Sequence, residues 1–494
     1  MLLGIEMRRG IRSSTRNMAS LKKNIGYNFA YQLLIFALPL VTAPYLARVI
    51  GATGVGTYSY SYSIATYFVY FIKMGLDNYG NRAIAGCQDD QLERSRAFWS
   101  IYAMQVACFV LAGGCYVVYC LAFASDIVVA LLQGLYVLSA LFDINWFFFG
   151  MEQFQLTVIR NTVIKAATTA LIFIFVRGSG DTDVYIGIMC AGTLLSQVVL
   201  WPFLRKYVKF IRPSVNDVLA HIKPNLILFV PVIAISIYNT LSKIILGYMA
   251  GEIEVGYYEN ASKITSVPTA LVTAVGTVML PRTSALLAKG DVEQARAHTD
   301  MTIIAVMAFT AVAAFGIPMI SRSFTLLYYG PGFDTTAEAL TILCATIPLL
   351  GFGNVIRTQY LIPAKRDSVY LWSAVCGAIA NFSVNVALIP SLGAVGSAWA
   401  TVAAETAVLV YQLLRVRKEI PLLRYCGYSA AFLVPGGLMA LFLAAIGFDS
   451  QNLWLKIFGT VGIGLVVYIP LAAIAYVALR RFSGAGLVRR TDAR

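Results

Sequence analysis

Charged side chains lie inside long apolar stretches of this sequence, where a charge is costly. The cations are Lys73, Arg160, Lys165, Lys243, Lys263 and Arg357, and the anions are Asp77, Asp143, Glu259 and Glu405. A charged side chain facing lipid near the bilayer midplane costs roughly 2.5–3.5 kcal/mol on insertion scales. Some of these charges must therefore reach an interface, some must pair, and the rest must line a hydrated cavity, which suits a bulky, polar, anionic substrate.

Two couples of these charges are spaced for ion pairing along one helix. Lys73 and Asp77 are one helical turn apart, and Glu259 and Lys263 have the same spacing. An ion pair at this spacing offsets part of the cost of each charge. Pairing therefore accounts for these four side chains structurally, although a gating or pathway role stays open for each.

The other charges lack a partner of opposite sign on their own helix. Those close to the end of an apolar run are expected to snorkel to the interface: Arg160, Lys243 and Arg357. Lys165 and Glu405 lie deeper, and they are the strongest candidates for lining a cavity. We expect Asp143 either to pair with a cation of another helix or to lie on the substrate pathway.

The elements that must position these charges are membrane-spanning helices. The chain has 494 residues, of which 59% are hydrophobic and 13% charged, whereas soluble domains average about 25% charged residues. Fourteen hydrophobic runs are each long enough to cross the roughly 30 Å hydrocarbon core. They lie near 25–47, 57–77, 98–124, 127–149, 158–176, 184–204, 224–247, 257–281, 301–320, 337–362, 368–389, 393–414, 425–447 and 455–479. The fold class is therefore an all-α polytopic membrane protein, and the unbroken apolar runs exclude a β-barrel, whose strands are short and alternating.

The basic residues predict the orientation. Alternate connections, starting with the N-terminal tail, hold 28 of the 38 Lys and Arg residues, whereas the other connections hold only Arg48, Arg177 and Arg322. Because positively charged loops resist translocation, both termini are expected in the cytoplasm. The net charge of +14 is then mostly topological, which favours anionic membrane lipids as partners and argues against nucleic acid.

A weak internal repeat divides the chain at an offset of 200 residues. GATGVGTY at 51–58 matches GEIEVGYY at 251–258 in four positions. Each segment follows the first span of a six-helix half, so the two halves enter the membrane from the same side. They are therefore expected to be related by a pseudo-twofold axis along the membrane normal. Any substrate site is expected at the interface between the two halves. The predicted segments are a basic tail (1–24), an N-terminal lobe (25–204), a cytoplasmic linker (205–223), a C-terminal lobe (224–415) and two extra helices with a basic tail (416–494).

Two predicted spans at matching places in the repeat contain pairs of prolines. Pro39 and Pro44 lie in the first span, and Pro224 and Pro231 lie at the start and in the interior of the seventh. Proline removes a backbone donor and favours a kink. Pro39 and Pro231 are thus candidates for moving gates, although proline is common in transmembrane helices generally.

No metal or cofactor site is predicted. The eight cysteines form no CxxC pair. Both histidines, His221 and His298, are expected in cytoplasmic loops, which leaves no buried histidine for zinc or for catalysis. Coupling to a proton or sodium gradient through a carboxylate stays open.

Three stretches resemble the polysaccharide (O-antigen) flippases of the multidrug/oligosaccharidyl-lipid/polysaccharide exporter superfamily. They are PYLARVIGATGVGTYSY at 44–60, WFFFGME at 146–152 and GAVGSAWATVAAE at 393–405. The resemblance implies a two-lobed bundle that moves undecaprenyl-pyrophosphate-linked oligosaccharides across the bacterial inner membrane by alternating access, with a lipid-linked oligosaccharide as substrate and no enzymatic activity. By motif position it singles out Arg48, Asp143, Glu152 and Glu405, whereas Lys73, Lys165, Lys263 and Arg357 rest on the charge argument alone.

Three other functions remain open on the sequence. Fourteen spans also suit a lipid II flippase. A drug/cation antiporter of the same superfamily would be expected to use a carboxylate in its first span, and this span contains none. A glycan polymerase or ligase usually needs a large external loop, and the longest one here covers only about 321–336. A partnership with a polysaccharide polymerase or chain-length machinery is compatible with the sequence.

Overall fold

The computed structural model describes residues 38–236 and 240–491, with side chains described as far as residue 479 except at three positions, 231, 234 and 235. No strand occurs among these residues, and the all-helical prediction is confirmed. The basic tail at 1–24 and most of the first predicted span lie outside the described residues. The part of that span that is described, 38–49, is helical.

The first part of the chain folds into nine α-helices after residue 50. They are α1 (Gly51–Lys73), α2 (Leu76–Ala85), α3 (Gln91–Ala122), α4 (Ile127–Phe142), α5 (Asn145–Gly150), α6 (Phe154–Phe175), α7 (Thr182–Val198), α8 (Trp201–Leu204) and α9 (Val215–Ser236). Aspartates begin two of these helices, because the Asp90 carboxylate accepts the Leu92 and Glu93 amides and Asp126 caps α4 in the same way.

The second part of the chain adds eight helices and a π-helical turn. They are α10 (Ser242–Ala250), α11 (Glu252–Ala288), α12 (Val292–Tyr328), α13 (Asp334–Leu343), α14 (Thr346–Ile356), the π turn (Arg357–Leu361), α15 (Asp367–Val416), α16 (Leu422–Ile446) and α17 (Leu453–Thr491). Wide turns of this kind are rare and are often found at functional sites.

Ten of the described helical segments are long and apolar enough to cross a membrane. One of them, α15, is two helices that meet at Gly393, whose backbone is non-helical (φ 53°). Its positive φ suits glycine, and a Cβ there would lie 2.4 Å from a carboxylate oxygen of Glu254. That carboxylate accepts the Ala394 amide at 2.7 Å and so caps the second helix. The break agrees with the predicted boundary between the eleventh and twelfth spans, and the helical pattern as a whole is that of a multi-pass membrane protein.

The chain divides into two compact units. The first comprises the described residues up to Ile50 together with Ser61–Ile233, and its core is rich in aromatic side chains such as Phe98, Trp146 and Phe147. Residues 205–223, expected as a cytoplasmic linker between the lobes, are part of this unit, because Val208 packs against its core and α9 begins within the segment.

The second unit comprises Gly51–Tyr60 and the chain from Ala234 onward. Its core includes Met307, Phe352 and Tyr428. The two additional C-terminal helices, α16 and α17, pack on α12 of this same unit. The helix α1 is therefore shared, since its first ten residues belong to the second unit and the remainder to the first.

Candidate functional site

A three-residue charge cluster lies in the first unit. The Lys73 ammonium, on the last residue of α1, is 2.7 Å from a carboxylate oxygen of Asp77 and 2.7 Å from one of Asp143. Asp77 is largely exposed, whereas Asp143 is buried. The pair that the helical spacing predicts is present, and Asp143 takes the alternative of pairing with a cation from another helix. The cluster carries one more carboxylate than cations.

Asn145 links this cluster to a second cation. Its amide donates to the Asp143 carboxylate at 2.7 Å, and its carbonyl oxygen accepts from the Arg160 guanidinium at 2.9 Å. Arg160 also donates to the Ser196 carbonyl at 2.9 Å and is only 6% exposed. The expectation that Arg160 snorkels to the interface is wrong, because a polar network inside the unit replaces water around it.

The WFFFG stretch is a packing element. Trp146, Phe147 and Phe148 are fully buried, and the Trp146 indole donates to Gln105 at 3.3 Å. Gly80 lies so close to this ring that a Cβ would approach it to 2.6 Å. The next carboxylate, Glu152, is exposed on a turn with positive φ.

Two basic candidates in this unit lie apart from the charge cluster. Lys165, on α6, is partly buried and makes no ion pair with any residue that the structure describes. Arg48 is exposed near the end of the helical segment 38–49. The charge of Lys165 is therefore not neutralised by a carboxylate of the described part of the chain.

A charge cluster of the opposite sign lies in the second unit. The Glu259 carboxylate is 2.6 Å from the Lys243 ammonium and 3.8 Å from that of Lys263. Ser59 donates a third contact to it at 3.1 Å. Lys243 was expected to snorkel, and this is wrong, because it forms the shorter of the two ion pairs. Among the described residues, the cluster holds two lysines and one carboxylate.

The two glycine-containing segments of the repeat pack directly on each other within the second unit. A Cβ on Gly56 would lie 1.7 Å from the Glu252 carbonyl oxygen, and one on Gly256 would lie 1.9 Å from that of Ala52. Each glycine thus faces the residue four places before its counterpart, an approximately twofold contact that is consistent with the predicted repeat. The glycines are needed because the two backbones touch.

Arg357 and Glu405 line one cavity of about 370 Å³, enclosed by α11, α14 and α15 of the second unit. Arg357 begins the π turn, donates to Asn354 at 3.3 Å and lies over the ring of Tyr370. Glu405 is 8% exposed and makes no hydrogen bond within the described part of the chain. Glu405 has no local partner and lines a cavity, as its depth in the span predicts, while the other residues of the lining do not follow from the sequence.

The proline candidates lie on two helical segments. Pro39 is exposed at the start of the described chain. Pro231 lies within α9, which continues to Ser236, and the side chain of Pro231 is outside the described residues.

The described residues contain no group of three or more His, Cys, Asp or Glu side chains that could hold a metal ion. The histidines lie on helices rather than in loops. His221, on α9, contacts the Tyr79 hydroxyl and accepts or donates a bond to Ser100 at 3.0 Å. Its burial lowers the pKa of the imidazole.

Sequence reasoning missed the polar residues whose hydrogen bonds join distant parts of the chain. Asn145 and Gln105 are polar residues in apolar runs, which is a visible signal, but their partners are 15 and 35–41 positions away. A buried trio in the second unit, in which Ser242 donates to Asn381 at 2.7 Å and accepts from Asn385 at 3.2 Å, carries the same signal.

The sequence is similar to curated transport proteins over most of its length. It is 22% identical over 420 residues to a protein of Escherichia coli (strain K12) named as an O-antigen transporter, covering 82% of this chain and 98% of that protein. It is 23% identical over 323 residues to a Haloferax volcanii protein named as a low-salt glycan biosynthesis flippase, covering 64% and 66% of the two chains.

Solved structures share the fold. The lipid II flippase MurJ, in an inward closed conformation, matches with a TM-score of 0.73 at 15% identity, covering 91% of this chain and 99% of that one. An inward-facing multidrug resistance transporter of the MATE family, in the MOP superfamily, matches with a TM-score of 0.55 at 15% identity over 79% of this chain and 98% of that one.

The family assignment rests on more than half of the chain. Residues 21–287 match the family described as polysaccharide biosynthesis protein. The matched region contains the glycine-containing segments of both halves and the charge clusters of both units. The chain therefore belongs to the polysaccharide biosynthesis protein family.

Proposed function

We propose that this protein is a flippase. It moves undecaprenyl-pyrophosphate-linked oligosaccharide units from the cytoplasmic to the outer leaflet of the bacterial inner membrane, for synthesis of a surface polysaccharide such as O-antigen, capsule or exopolysaccharide. The observation that carries the proposal is that lysines outnumber carboxylates at two places inside the spans, among the residues that the structure describes. Glu259 is shared by Lys243 and Lys263, and Lys165 has no ion pair with a described residue.

The substrate explains why such charge is retained. Transfer of a hydroxyl from water into hydrocarbon costs about 4–8 kcal/mol when nothing can hydrogen-bond to it, so an oligosaccharide does not cross the bilayer unaided. A polar path with lysine and arginine side chains solvates the sugar and attracts the pyrophosphate. The lipid tail stays in the bilayer while the head group passes.

The relatives support a transporter rather than an enzyme. The two curated proteins described above are named as a transporter and a flippase. The cycle we propose is alternating access, with Arg48, Lys73, Asp143, Lys165, Lys263, Arg357 and Glu405 on the substrate pathway. Pairing or gating roles are proposed for Asp77, Glu152, Glu259, Pro39 and Pro231.

The proposal extends to location and partners. Both termini face the cytoplasm, anionic lipids contact the basic cytoplasmic loops, and a polysaccharide polymerase or chain-length machinery uses the product. A proton or sodium gradient drives the cycle through an intramembrane carboxylate.

The test is the membrane sidedness of undecaprenyl-linked glycan in cells depleted of this chain. We expect the glycan to accumulate in the cytoplasmic leaflet and to be cleared when the wild-type chain is expressed again. Accumulation of a peptidoglycan precursor instead would identify a lipid II flippase. Unchanged glycan together with altered sensitivity to cationic dyes would contradict the proposal and favour a drug/cation antiporter.

A further inference from the structure

The cavity that holds Arg357 and Glu405 has the size of a small-molecule site. Its volume of about 370 Å³ falls in the range of ligand pockets, roughly 300–1,000 Å³. At about 30 Å³ per water molecule, it exceeds by roughly tenfold the space that one water or one small cation needs. All of its lining residues belong to the second unit, so the cavity is built within one packed body.

The cavity contains polar groups whose hydrogen bonds are incomplete. Glu405 has no hydrogen-bond partner among the described residues, as noted above. Gln412 lies about two turns further along α15 and is 2% exposed. Its side-chain carbonyl oxygen is buried and has no partner among the described residues. Its amide nitrogen is held by the Ser373 hydroxyl at 3.0 Å, which fixes the side chain in place. Gln412 can therefore accept a hydrogen bond from a donor that enters the cavity.

The remaining polar side chains add acceptors and one strong donor. The hydroxyls of Thr269 and Thr273 donate to the backbone of their own helix, to the carbonyls of Thr265 and Thr269, which leaves their oxygen lone pairs as acceptors. Arg357 supplies guanidinium N–H groups, and Asn354 holds it in position. Acceptors in excess, next to a few donors, match a ligand with many hydroxyl groups.

The charges balance within the cavity. The lining holds one guanidinium, Arg357, and one carboxyl group, Glu405, so its formal charges sum to zero and an ion of either sign is not strongly attracted. An uncharged ligand is therefore favoured over an ion. Tyr370, which lies beside the guanidinium, adds an aromatic surface of the kind that packs against the apolar face of a ring.

We propose that this cavity binds one uncharged pyranose ring of the transported glycan, with Glu405 and Gln412 accepting from its hydroxyls and Arg357 donating to its oxygens. The inference rests on the proposed flippase function. In the orientation that the basic residues predict, the cavity lies in the cytoplasmic half of the membrane, where the substrate enters. A site that hydrogen-bonds hydroxyls discriminates strongly against sugars that lack them, so the cavity selects which glycan is moved.

Photo-crosslinking in whole cells tests occupancy. A photoreactive residue replaces Thr273, which is exposed and lines the cavity, in cells whose glycan is labelled with radioactive sugar. The control replaces Val275, which is 40% exposed on the same helix and does not line the cavity. We expect labelled glycan on the chain with the photoreactive group at 273 and at least fivefold less with it at 275. Equal labelling, or none at 273 while the wild-type chain still clears cytoplasmic-leaflet glycan, would overturn the inference without affecting the flippase assignment.

Paired substitutions separate hydrogen bonding from charge. Glu405→Gln keeps an acceptor oxygen, so we expect a two- to threefold fall in the rate of glycan translocation, whereas Glu405→Leu should lower it at least tenfold at equal protein level. The same two changes at the exposed Glu338 are the control. If Glu405→Gln is as defective as Glu405→Leu, the negative charge is what matters, and a cation site replaces the sugar site. If the wild-type chain moves no glycan at all, the flippase proposal itself fails.

Discussion

Ser59 and Glu259 are separated by 200 residues, the offset of the internal repeat, and the Ser59 hydroxyl donates to the Glu259 carboxylate at 3.1 Å. Equivalent positions of the two halves thus contact each other, as expected for residues next to a local twofold axis. The repeat has diverged at this point, because one copy holds a hydroxyl and the other a carboxylate with two lysine partners. Because of this divergence, a neutral hydroxyl of one segment contacts a charged carboxylate of the other.

Removal of the Glu259 charge is expected to destabilise the protein. Glu259→Gln leaves Lys243 and Lys263 close together with no carboxylate between them. Breaking a buried pair costs about 3–5 kcal/mol, and since these side chains keep 18–26% of their surface exposed we expect a loss near the lower value. Thermal unfolding in detergent measures it. Restoration of stability in the double variant Glu259→Gln/Lys243→Gln is expected, and a double variant less stable than the single one would contradict the pairing.

The glycine contact of the repeat should tolerate no side chain. Gly56→Ala and Gly256→Ala each place a Cβ within 2 Å of a backbone carbonyl oxygen, and such overpacking costs roughly 1–3 kcal/mol or more. Gly114→Ala, where nothing lies within 4 Å of the new Cβ, is the matched control. The melting temperature of the protein in detergent should fall for Gly56→Ala and Gly256→Ala but not for Gly114→Ala. Equal stability of all three variants would show that the two backbones do not touch.

Lys165 is expected to act in transport rather than in folding. Because Lys165 forms no ion pair with a described residue, Lys165→Gln leaves no carboxylate unpaired. Membrane insertion and melting temperature should therefore stay unchanged, while glycan translocation falls severalfold. Lys165→Arg should keep most of the rate, since the charge remains. Lys289→Gln, at an exposed position on a turn, is the control. Normal surface glycan in the Lys165→Gln cells would remove this lysine from the pathway.

A contact of Glu419 with Tyr360 and Arg366 makes stability depend on pH. The Glu419 carboxylate accepts from the Tyr360 hydroxyl and pairs with Arg366 at 2.6 Å, and these contacts lower its pKa. A lowered pKa means that the contribution is complete above the ordinary glutamate value of roughly 4.3 and is lost as the pH falls below it. Melting temperatures measured from about pH 6 to about pH 3 should therefore fall more for the wild type than for Glu419→Gln, with the difference developing below roughly pH 4.3. Parallel curves would contradict the pKa shift.

Periodicity and charge spacing predicted what is local in this fold. The helical class, the break at Gly393 and the contact between Lys73 and Asp77 all follow from residues near in sequence. The partners of Arg160 and Lys243 could not be predicted, because the distance of a residue from the end of its span does not show which helix packs alongside it. Asn145 is the clearest example, since a neutral amide in an apolar run gives no indication that it joins Asp143 to Arg160. The cavity beside Glu405 likewise depends on how three helices pack.

The sharing of α1 affects how this chain can be taken apart. Residues 51–60 complete the second unit although they precede almost all of the first. A polypeptide beginning at residue 234 would consequently lack the Gly56 side of its glycine contact and the Ser59 hydroxyl. The two units therefore cannot be separated, exchanged or circularly permuted as independent modules. If the protein is split into two fragments, the N-terminal fragment must therefore be present in trans, because its residues 51–60 complete the second unit.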